Sequence, residues 1–305
     1  MIRIRAGAPR RMRSGAAFLA VGTGLVLHAR RAFLRELRQA RAAVASARSM
    51  PLRPLPPRVA GLDLAAAQLP ADRGAAVGGD LYEVIATEHG VRAVIGDVRG
   101  HGLAALGTVA AVLGTFRAAA HDEADLEGVL RRLDRALARH VRDREPDPEG
   151  PEHFVTVLLL QIAGDGTLHT LNCGHPWPYR LNGTEAEPVS RTEPLPPLGP
   201  FPLPPDLPTE NPGSLLPGET LVLYTDGVED ARNTEGRFFP LPSVLTEATR
   251  AGPLSPQAVL RTVFTQLLDH TTQRPADDVA VLVIHNVGDV VRGATAEKRG
   301  AGLHR

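Results

Sequence analysis

Six apolar runs in this sequence have the length and spacing of β-strands. They lie at residues 80–87, 91–97, 154–162, 167–173, 220–224 and 279–285. Several, such as VTVLLL and VAVLVI, are apolar at both alternating positions, so both faces of these strands must be covered. Helical periodicity at residues 103–120, 126–141 and 256–270 can supply the cover. Because the strands cluster with tight turns and the helices come in pairs, the pattern favours an α+β sandwich of two antiparallel sheets flanked by helices over a doubly wound parallel sheet.

The first fifty residues are rich in arginine and have a different pattern. Residues 14–29 form an uncharged apolar run with arginines on both sides. As a helix, this run would reach about 24 Å, against a hydrocarbon thickness of about 30 Å, so spanning a bilayer would need snorkelling arginines or local thinning. Anchoring to the cell membrane, an interfacial helix and a disordered basic tail all stay open. A secretory signal fits worst, because arginines follow the run.

Residues 30–50 predict a helical extension before the globular domain. Apolar side chains repeat there at alternating spacings of four and three, which is typical either of a short coiled-coil seam or of a solvated spacer helix. The sequence therefore leaves open whether the protein forms a homodimer. Four prolines between residues 51 and 57 predict a stiff linker, and we place the globular domain at 51–288 and a polar flexible tail at 289–305.

Two stretches interrupt the domain. Residues 145–152 are polar and predict a loop. Residues 194–217 contain ten prolines in 24 residues, which excludes a helix or an inner strand. We interpret this second stretch as a surface flap.

Composition excludes several classes of function. The formal charge is zero, with 34 basic and 34 acidic residues, and aromatic residues make up 4% of the chain, so nucleic-acid binding is not expected. The single cysteine, Cys173, excludes an intramolecular disulfide and any multi-cysteine metal site. Neither a nucleotide-binding P-loop nor a nucleophile-elbow motif occurs in the sequence.

Aspartates stand at the ends of the predicted strands. Asp80 follows two glycines and opens a strand, Asp97 ends the next, Asp226 follows LVLYT, and the pair Asp277 and Asp278 precedes VAVLVI. One Asp-Gly at a strand end is usually a turn, but four such sites, three of them beside glycines, are hard to explain as independent turns. Carboxylate and carbonyl oxygens are the ligands that Mg²⁺ and Mn²⁺ prefer. The pattern therefore predicts a site for two divalent cations, suited to hydrolysis by an activated water.

The motifs GGD, GDVRGHG, NCGH, YTDG and a final DD occur in this order between residues 56 and 285. In this order they resemble the SpoIIE/RsbU branch of the metal-dependent protein phosphatases (PPM), the protein phosphatase type 2C superfamily. The resemblance implies an αββα sandwich, two Mn²⁺ or Mg²⁺ ions and Ser/Thr phosphatase activity. It also implies a cytoplasmic catalytic domain and a phosphoprotein substrate, typically a phosphorylated anti-sigma-factor antagonist in a bacterial signalling pathway.

Site residues can be carried over from the same motifs. The resemblance assigns the bridging position to Asp80 and Asp97, one metal site to the carbonyl of Val98, and the other metal to Asp226 and Asp277, with Asp278 as the secondary candidate of its pair.

Four further residues near these motifs are candidates for supporting roles. Arg73 and Arg99 are candidates for binding the substrate phosphate, since a guanidinium fork suits its oxygens, but we favour a solvated surface arginine for both. His101 could protonate the leaving oxygen, but we favour a brace for its turn. His175 is interpreted as structural.

Two positions depart from the family pattern. Glu83 is the acid that follows GGD, and in a strand it would point to the face opposite Asp80, so we interpret it as solvent-facing or supporting and not as a ligand. Ala280 replaces the usual Thr, which would weaken the support of a ligand without removing one.

Two other functions stay open. One is a catalytically inactive scaffold that binds a partner, and the other is an enzyme acting on small phosphoesters. The acids argue against the scaffold, because a binding module has no need of a self-repelling carboxylate cluster. Helix 103–120 is apolar nearly all round and must be buried or paired, and by analogy a signal could pass from residues 30–50 through it to Asp97.

Overall fold

The computed structural model describes residues 53–69, 71, 78–100, 103–143, 154–183, 185–250, 254–271 and 275–288. The predictions for residues 1–50, for the loop 145–152 and for the tail 289–305 therefore lie outside the described residues. Within the described ranges, no helix combines the length and the apolar character needed to cross a membrane.

Ten strands and four helices make up the described part of the chain. The strands are β1 (Arg58–Val59), β2 (Leu62–Leu69), β3 (Asp80–Thr87), β4 (Gly90–Val98), β5 (Val155–Ile162), β6 (Leu168–Cys173), β7 (Tyr179–Leu181), β8 (Ala186–Pro188), β9 (Thr220–Tyr224) and β10 (Val279–Asn286). The helices are α1 (Leu103–Asp122), α2 (Leu126–Arg142), α3 (Leu241–Arg250) and α4 (Pro256–Thr271).

The strands form two antiparallel sheets. The six-stranded sheet has the order β1-β2-β10-β9-β7-β8, and the four-stranded sheet has the order β3-β4-β5-β6. Helices α1 and α2 pack on the four-stranded sheet, α3 and α4 pack on the six-stranded sheet, and a third apolar core fills the space between the sheets. The αββα sandwich expected from the sequence is therefore confirmed.

Strands at the centre of each sheet are buried on both faces, as their composition predicts. In β5, Leu159 faces the helices while Leu158 faces the other sheet. In β10, Val281 and Leu282 divide between the two cores in the same way. These continuous apolar runs are needed because each sheet lies between a helical layer and the other sheet.

The sequence pattern missed several elements. Strands β1, β2, β7 and β8 and helix α3 had not been predicted. β2 has the sequence LDLAAAQL, whose alanines have low strand propensity, and β7 and β8 are three residues each. Tertiary pairing holds these segments, since β2 pairs with β10 over its whole length.

The proline-rich segment 194–217, expected from the sequence to be a surface flap, is a strap along one sheet edge. The backbones of Glu210 and Thr170, the latter on edge strand β6, exchange two hydrogen bonds of 2.9 Å. Leu198 and Leu207 of the strap are buried in the core beneath α1 and α2. The strap thus covers part of an edge that would otherwise expose unpaired strand groups.

Candidate metal centre

The five predicted acids gather at the ends of neighbouring strands. Asp80, at the start of β3, is the direct cross-strand partner of Asp97, near the end of β4. Asp226 follows β9, and Asp277 and Asp278 precede β10. Since β9 and β10 are antiparallel neighbours, the C-terminal end of β9 and the N-terminal end of β10 lie side by side in the six-stranded sheet. Each sheet therefore contributes one group of acids.

Contacts between the sheets bring the two groups together. The Thr225 hydroxyl donates to Asp80 Oδ2 at 3.1 Å, and the side-chain amide of Gln68 donates to the Asp80 carbonyl at 3.3 Å. Gly78 lies so close to the Asp278 carboxylate that a methyl group on Gly78 would collide with it. The acids of the six-stranded sheet therefore face those of the four-stranded sheet.

Glycines allow carbonyl and carboxylate oxygen atoms to lie close to the backbone in this region. A methyl group on Gly79 would collide with the Val98 carbonyl oxygen and with Asp97 Oδ1. A methyl group on Gly227 would collide with the backbone carbonyl of Asp278. The glycines of the GGD and TDG motifs are thus needed for close approach, and the Val98 carbonyl lies beside the Asp97 carboxylate.

Burial and the charges of neighbouring acids both disfavour the ionised form of the acids in this cluster. Burial raises the pKa of Asp80 well above its usual value, and the charges of Asp97, Asp278 and Asp226 raise it further. Burial raises the pKa of Asp97 to about 7, with added contributions from Asp226, Asp277 and Asp278. Asp80 is only 5% exposed, whereas Asp226 and Asp277 are exposed. The cluster therefore runs from a buried floor to an open rim.

Asp230 belongs to the same cluster but was missed by the sequence reasoning. Burial raises the pKa of Asp226, and the charges of Asp277 and Asp230 raise it further. A helical turn after β9, in which the Asp230 amide donates to the Asp226 carbonyl at 2.8 Å, brings the two acids together. The spacing of four residues in DGVED was the available signal.

The donor set fits hard divalent cations. Clustered carboxylates with a backbone carbonyl suit Mg²⁺ or Mn²⁺, and a cation would relieve the repulsion that raises the pKa values. In the described parts of the chain, no three acidic, His or Cys side chains already converge as a chelating set. Ions that keep several waters need few direct protein ligands, so an open ring of acids is compatible with such ions.

A hydrogen-bonded chain supports Asp97 from behind. The Asp97 amide donates to Thr156 Oγ1 at 3.2 Å, and this oxygen lies 3.0 Å from Nδ1 of His175. The side chain of Asn172 bonds both the amide and the carbonyl of His175. Burial lowers the pKa of His175 to about 3, so its neutral ring can accept the Thr156 hydroxyl proton. These contacts agree with the structural role expected for His175.

Glu83 faces the helical layer. It is 8% exposed, and Oε2 lies 2.6 Å from the guanidinium of Arg117 on α1. The sequence placed it correctly on the face opposite Asp80, but the solvent-facing alternative is wrong. Glu83 instead ties β3 to α1, and a buried acid is stable there because it is paired.

Arg99 is the one candidate phosphate-binding arginine within the described residues. It directly follows Val98, is exposed, and lies with its guanidinium carbon 5.0 Å from the centre of the Phe154 ring. Arg73 and His101 lie outside the described residues. The cation–π contact holds the Arg99 side chain over the Phe154 ring.

Two facing antiparallel sheets, enclosed by paired helices and carrying acids at the strand ends, define a PP2C-type phosphatase fold. Residues 87–286 match the family described as Stage II sporulation protein E (SpoIIE), and the chain belongs to this family. No match was found among curated protein sequences.

Solved structures with the same fold come from several bacteria. The RsbU and RsbW domains of a Mycobacterium tuberculosis protein share 24% identity at a TM-score of 0.59, and the match covers 74% of this chain and 60% of that one. The SiaA-PP2C domain of Pseudomonas aeruginosa shares 18% at 0.58, covering 89% and 98%. The PP2C phosphatase domain and a fragment of the regulatory domain of SpoIIE from Bacillus subtilis share 16% at 0.56, covering 73% and 62%. These likenesses establish the fold.

Proposed function

We propose that this chain is a metal-dependent protein Ser/Thr phosphatase. The observation that carries the proposal is the convergence of five acids, two from the four-stranded sheet and three from the six-stranded sheet. Burial, and then the charges of neighbouring acids, raise the pKa values of Asp80, Asp97 and Asp226. Such a cluster opposes folding unless it serves to bind cations. A related structure, RsbX, was determined in complex with magnesium, which supports Mg²⁺ or Mn²⁺ as the cofactor.

Each residue of the cluster has a distinct proposed role. Bound divalent cations would supply a water of lowered pKa and a clamp for phosphate oxygens. Paired side by side, Asp80 and Asp97 would take the shared position between two ions, with the Val98 carbonyl beside them. The remaining ligands would come from the six-stranded sheet, namely Asp226 and Asp277, with Asp278 as the secondary candidate.

Substrate phosphate would enter at the open rim of the cluster. Asp226 and Asp277 are exposed there, and so is Arg99. We propose that Arg99 orients the phosphate group, because a guanidinium can donate two parallel hydrogen bonds to its oxygens. Arg73 stays a second proposed contact.

The proposed substrate is a phosphoprotein in a bacterial signalling pathway, specifically a phosphorylated anti-sigma-factor antagonist. Support comes from the SpoIIE family match and from similar structures that contain RsbU and RsbW domains or belong to the bacterial stressosome. An open, solvent-exposed rim also suits a protein-borne phosphate better than an enclosed metabolite pocket would.

The proposed domain boundaries follow the sequence. The phosphatase domain would occupy residues 51–288, preceded by the basic segment 1–50 and followed by the tail 289–305. Anchoring through residues 14–29 and homodimerisation through residues 30–50 stay proposals.

Phosphate release tests the activity directly. The full chain would be assayed on a phosphoserine protein and on p-nitrophenyl phosphate, with Mn²⁺ and with EDTA. We expect Mn²⁺-dependent turnover that falls by about a hundredfold or more in Asp97→Asn and Asp226→Asn. Asp269→Asn is the matched control, because Asp269 is an exposed aspartate on α4.

Each alternative function has its own result in this assay. Folded wild-type protein that releases no phosphate from either substrate with Mn²⁺ would favour the inactive scaffold. A marked preference for small phosphoesters over the phosphoprotein would favour a small-molecule phosphoesterase.

A further inference from the structure

Thr225 lies between the two sheets at the base of the acid cluster. It exposes none of its surface. Its hydroxyl donates to Asp80 Oδ2 at 3.1 Å, although the two residues are 145 positions apart in the sequence. The same hydroxyl oxygen accepts a hydrogen bond of 2.8 Å from the Ala280 amide. Thr225 therefore joins strand ends of the six-stranded sheet to the first acid of the four-stranded sheet.

The surrounding backbone fixes the direction of the Thr225 hydroxyl. The Thr225 amide donates to the Ala280 carbonyl at 3.0 Å, so the two residues exchange hydrogen bonds across β9 and β10. Because an amide already donates to the Thr225 oxygen, the hydroxyl proton is free to point at another acceptor. Asp80 Oδ2 is that acceptor.

Thr225 ends a short row of residues that lies under Asp80. Gln68 on β2 is the cross-strand partner of Ala280, which in turn exchanges hydrogen bonds with Thr225. The two outer members hold Asp80 at different atoms, since Gln68 bonds its carbonyl and Thr225 bonds its carboxylate. The middle member, Ala280, has only a methyl group and cannot donate. Within this row, Thr225 is therefore the residue that donates a hydrogen bond to the Asp80 carboxylate.

We propose that Thr225 is a positioning residue that holds the Asp80 carboxylate in the orientation required to bind a divalent cation. This inference rests on the proposed function, in which Asp80 is a metal ligand. Groups that hydrogen-bond a metal ligand fix its orientation, and their loss typically weakens metal binding or activity by about 10- to 100-fold.

A purely structural role for Thr225 makes a different prediction. If Thr225 only filled space, Thr225→Val would keep the cation affinity of the wild type, because the two side chains have nearly the same shape. Loss of a buried hydrogen bond would then lower stability without changing the affinity for cations. The positioning role instead predicts that affinity changes and that serine, which keeps the hydroxyl, restores it.

Thr220 provides a matched control on the same strand. It is also fully buried on β9, and its hydroxyl lies 2.9 Å from Nδ1 of His285, at the end of the strand away from the acids. Thr220→Val therefore removes a comparable buried hydroxyl. It should cost similar stability without touching Asp80.

The experiment compares wild type, Thr225→Val, Thr225→Ser and Thr220→Val as full-length proteins. Isothermal titration with Mn²⁺ gives the dissociation constant, and the rise in Tm with Mn²⁺ gives an independent estimate. Hydrolysis of p-nitrophenyl phosphate at varied Mn²⁺ gives the half-saturating metal concentration. We expect Thr225→Val to bind Mn²⁺ at least tenfold more weakly, while Thr225→Ser and Thr220→Val stay within about threefold of wild type.

Two negative outcomes can be told apart. Unchanged Mn²⁺ affinity in folded Thr225→Val, or equal weakening in Thr220→Val, would overturn this inference alone. Wild-type protein that binds no Mn²⁺ would overturn the proposed function and the inference with it. If Thr225→Val fails to fold, Thr225→Ser decides, because tenfold weaker binding in that variant would contradict a role carried by the hydroxyl.

Discussion

Replacing the buried Arg92 by methionine should destabilise the domain strongly. Arg92, on β4, exposes none of its surface. Its guanidinium donates to Gln161 Oε1 on β5 at 2.8 Å. It also donates to three backbone carbonyls where α1 ends and α2 approaches, those of Ala120, Glu123 and Ala124, at 3.0, 2.6 and 2.8 Å. One side chain therefore donates hydrogen bonds to the carbonyl groups at and after the end of α1, and it ties the helical layer to the sheet.

The expected magnitude follows from these hydrogen bonds. Carbonyls at a helix C-terminus have no partner within the helix, so methionine would leave the buried Ala120 carbonyl and the partly buried carbonyls that follow it without this donor. Hydrogen bonds to a charged group contribute about 1.5–3 kcal/mol each, and apolar burial of methionine offsets part of their loss. We expect the free energy of unfolding to fall by about 4 kcal/mol. For a domain of this size, Tm should fall by about 10 °C.

Thermal and urea unfolding followed by circular dichroism would measure the change. Arg92→Lys should be intermediate, because a single ammonium cannot reach all four acceptors. Arg139→Met on α2 is the matched control, since Arg139 is exposed and should change Tm by no more than about 2 °C. If Arg92→Met had the same Tm as this control, Arg92 would not stabilise the end of α1.

Two further predictions concern the acid cluster and its surroundings. In metal-free protein, burial and neighbouring charges raise the pKa of Asp97 to about 7 and that of Asp80 above its usual value, so between about pH 4 and 7 the folded state binds more protons than the unfolded state. The unfolding free energy measured in EDTA should therefore fall as pH rises through this window, and saturating Mn²⁺ should remove the fall. Stability in EDTA that stays flat or rises with pH would contradict the raised pKa values. Gly79→Ala should abolish Mn²⁺-dependent activity because its methyl group would collide with backbone and carboxylate oxygens. The control Gly114→Ala, in open space on α1, should raise stability by about 1 kcal/mol and leave activity unchanged. Equal phosphate release by both variants would argue against the close approach of these oxygens to Gly79.

The sequence predicted the central strands and three of the four helices of the described residues because their patterns are strong. Short runs that are apolar on both faces are typical of interior strands, as β5 and β10 are. Elements that depend on neighbours were missed, including alanine-rich β2 and the short strands β7 and β8. In the strap, the prolines correctly excluded regular structure, but the leucines between them were the overlooked sign of burial, as Leu198 and Leu207 show.

The acids of the candidate site were predictable, but the groups that hold them were not. Asp80 and Asp97 stand out because an acid beside glycine at a strand end is chemically conspicuous. Thr156 lies on β5 and Thr225 directly follows β9, and nothing in their local sequence shows that each bonds part of an acid from another strand. Such contacts depend on the register between strands and sheets, which only the folded chain defines.

The division of the acids between two sheets couples cation binding to the packing of the sandwich. Asp80 and Asp97 are fixed to one sheet and Asp226 to the other, so their separation depends on how the sheets lie against each other. Repulsion among them pushes the strand ends apart, while the apolar core between the sheets and the Thr225 bond to Asp80 hold them together. A cation that bound both groups would favour the closed arrangement, and a change that increased the population of separated sheets would weaken cation binding. Packing far from the acids can thus regulate the site without touching a ligand.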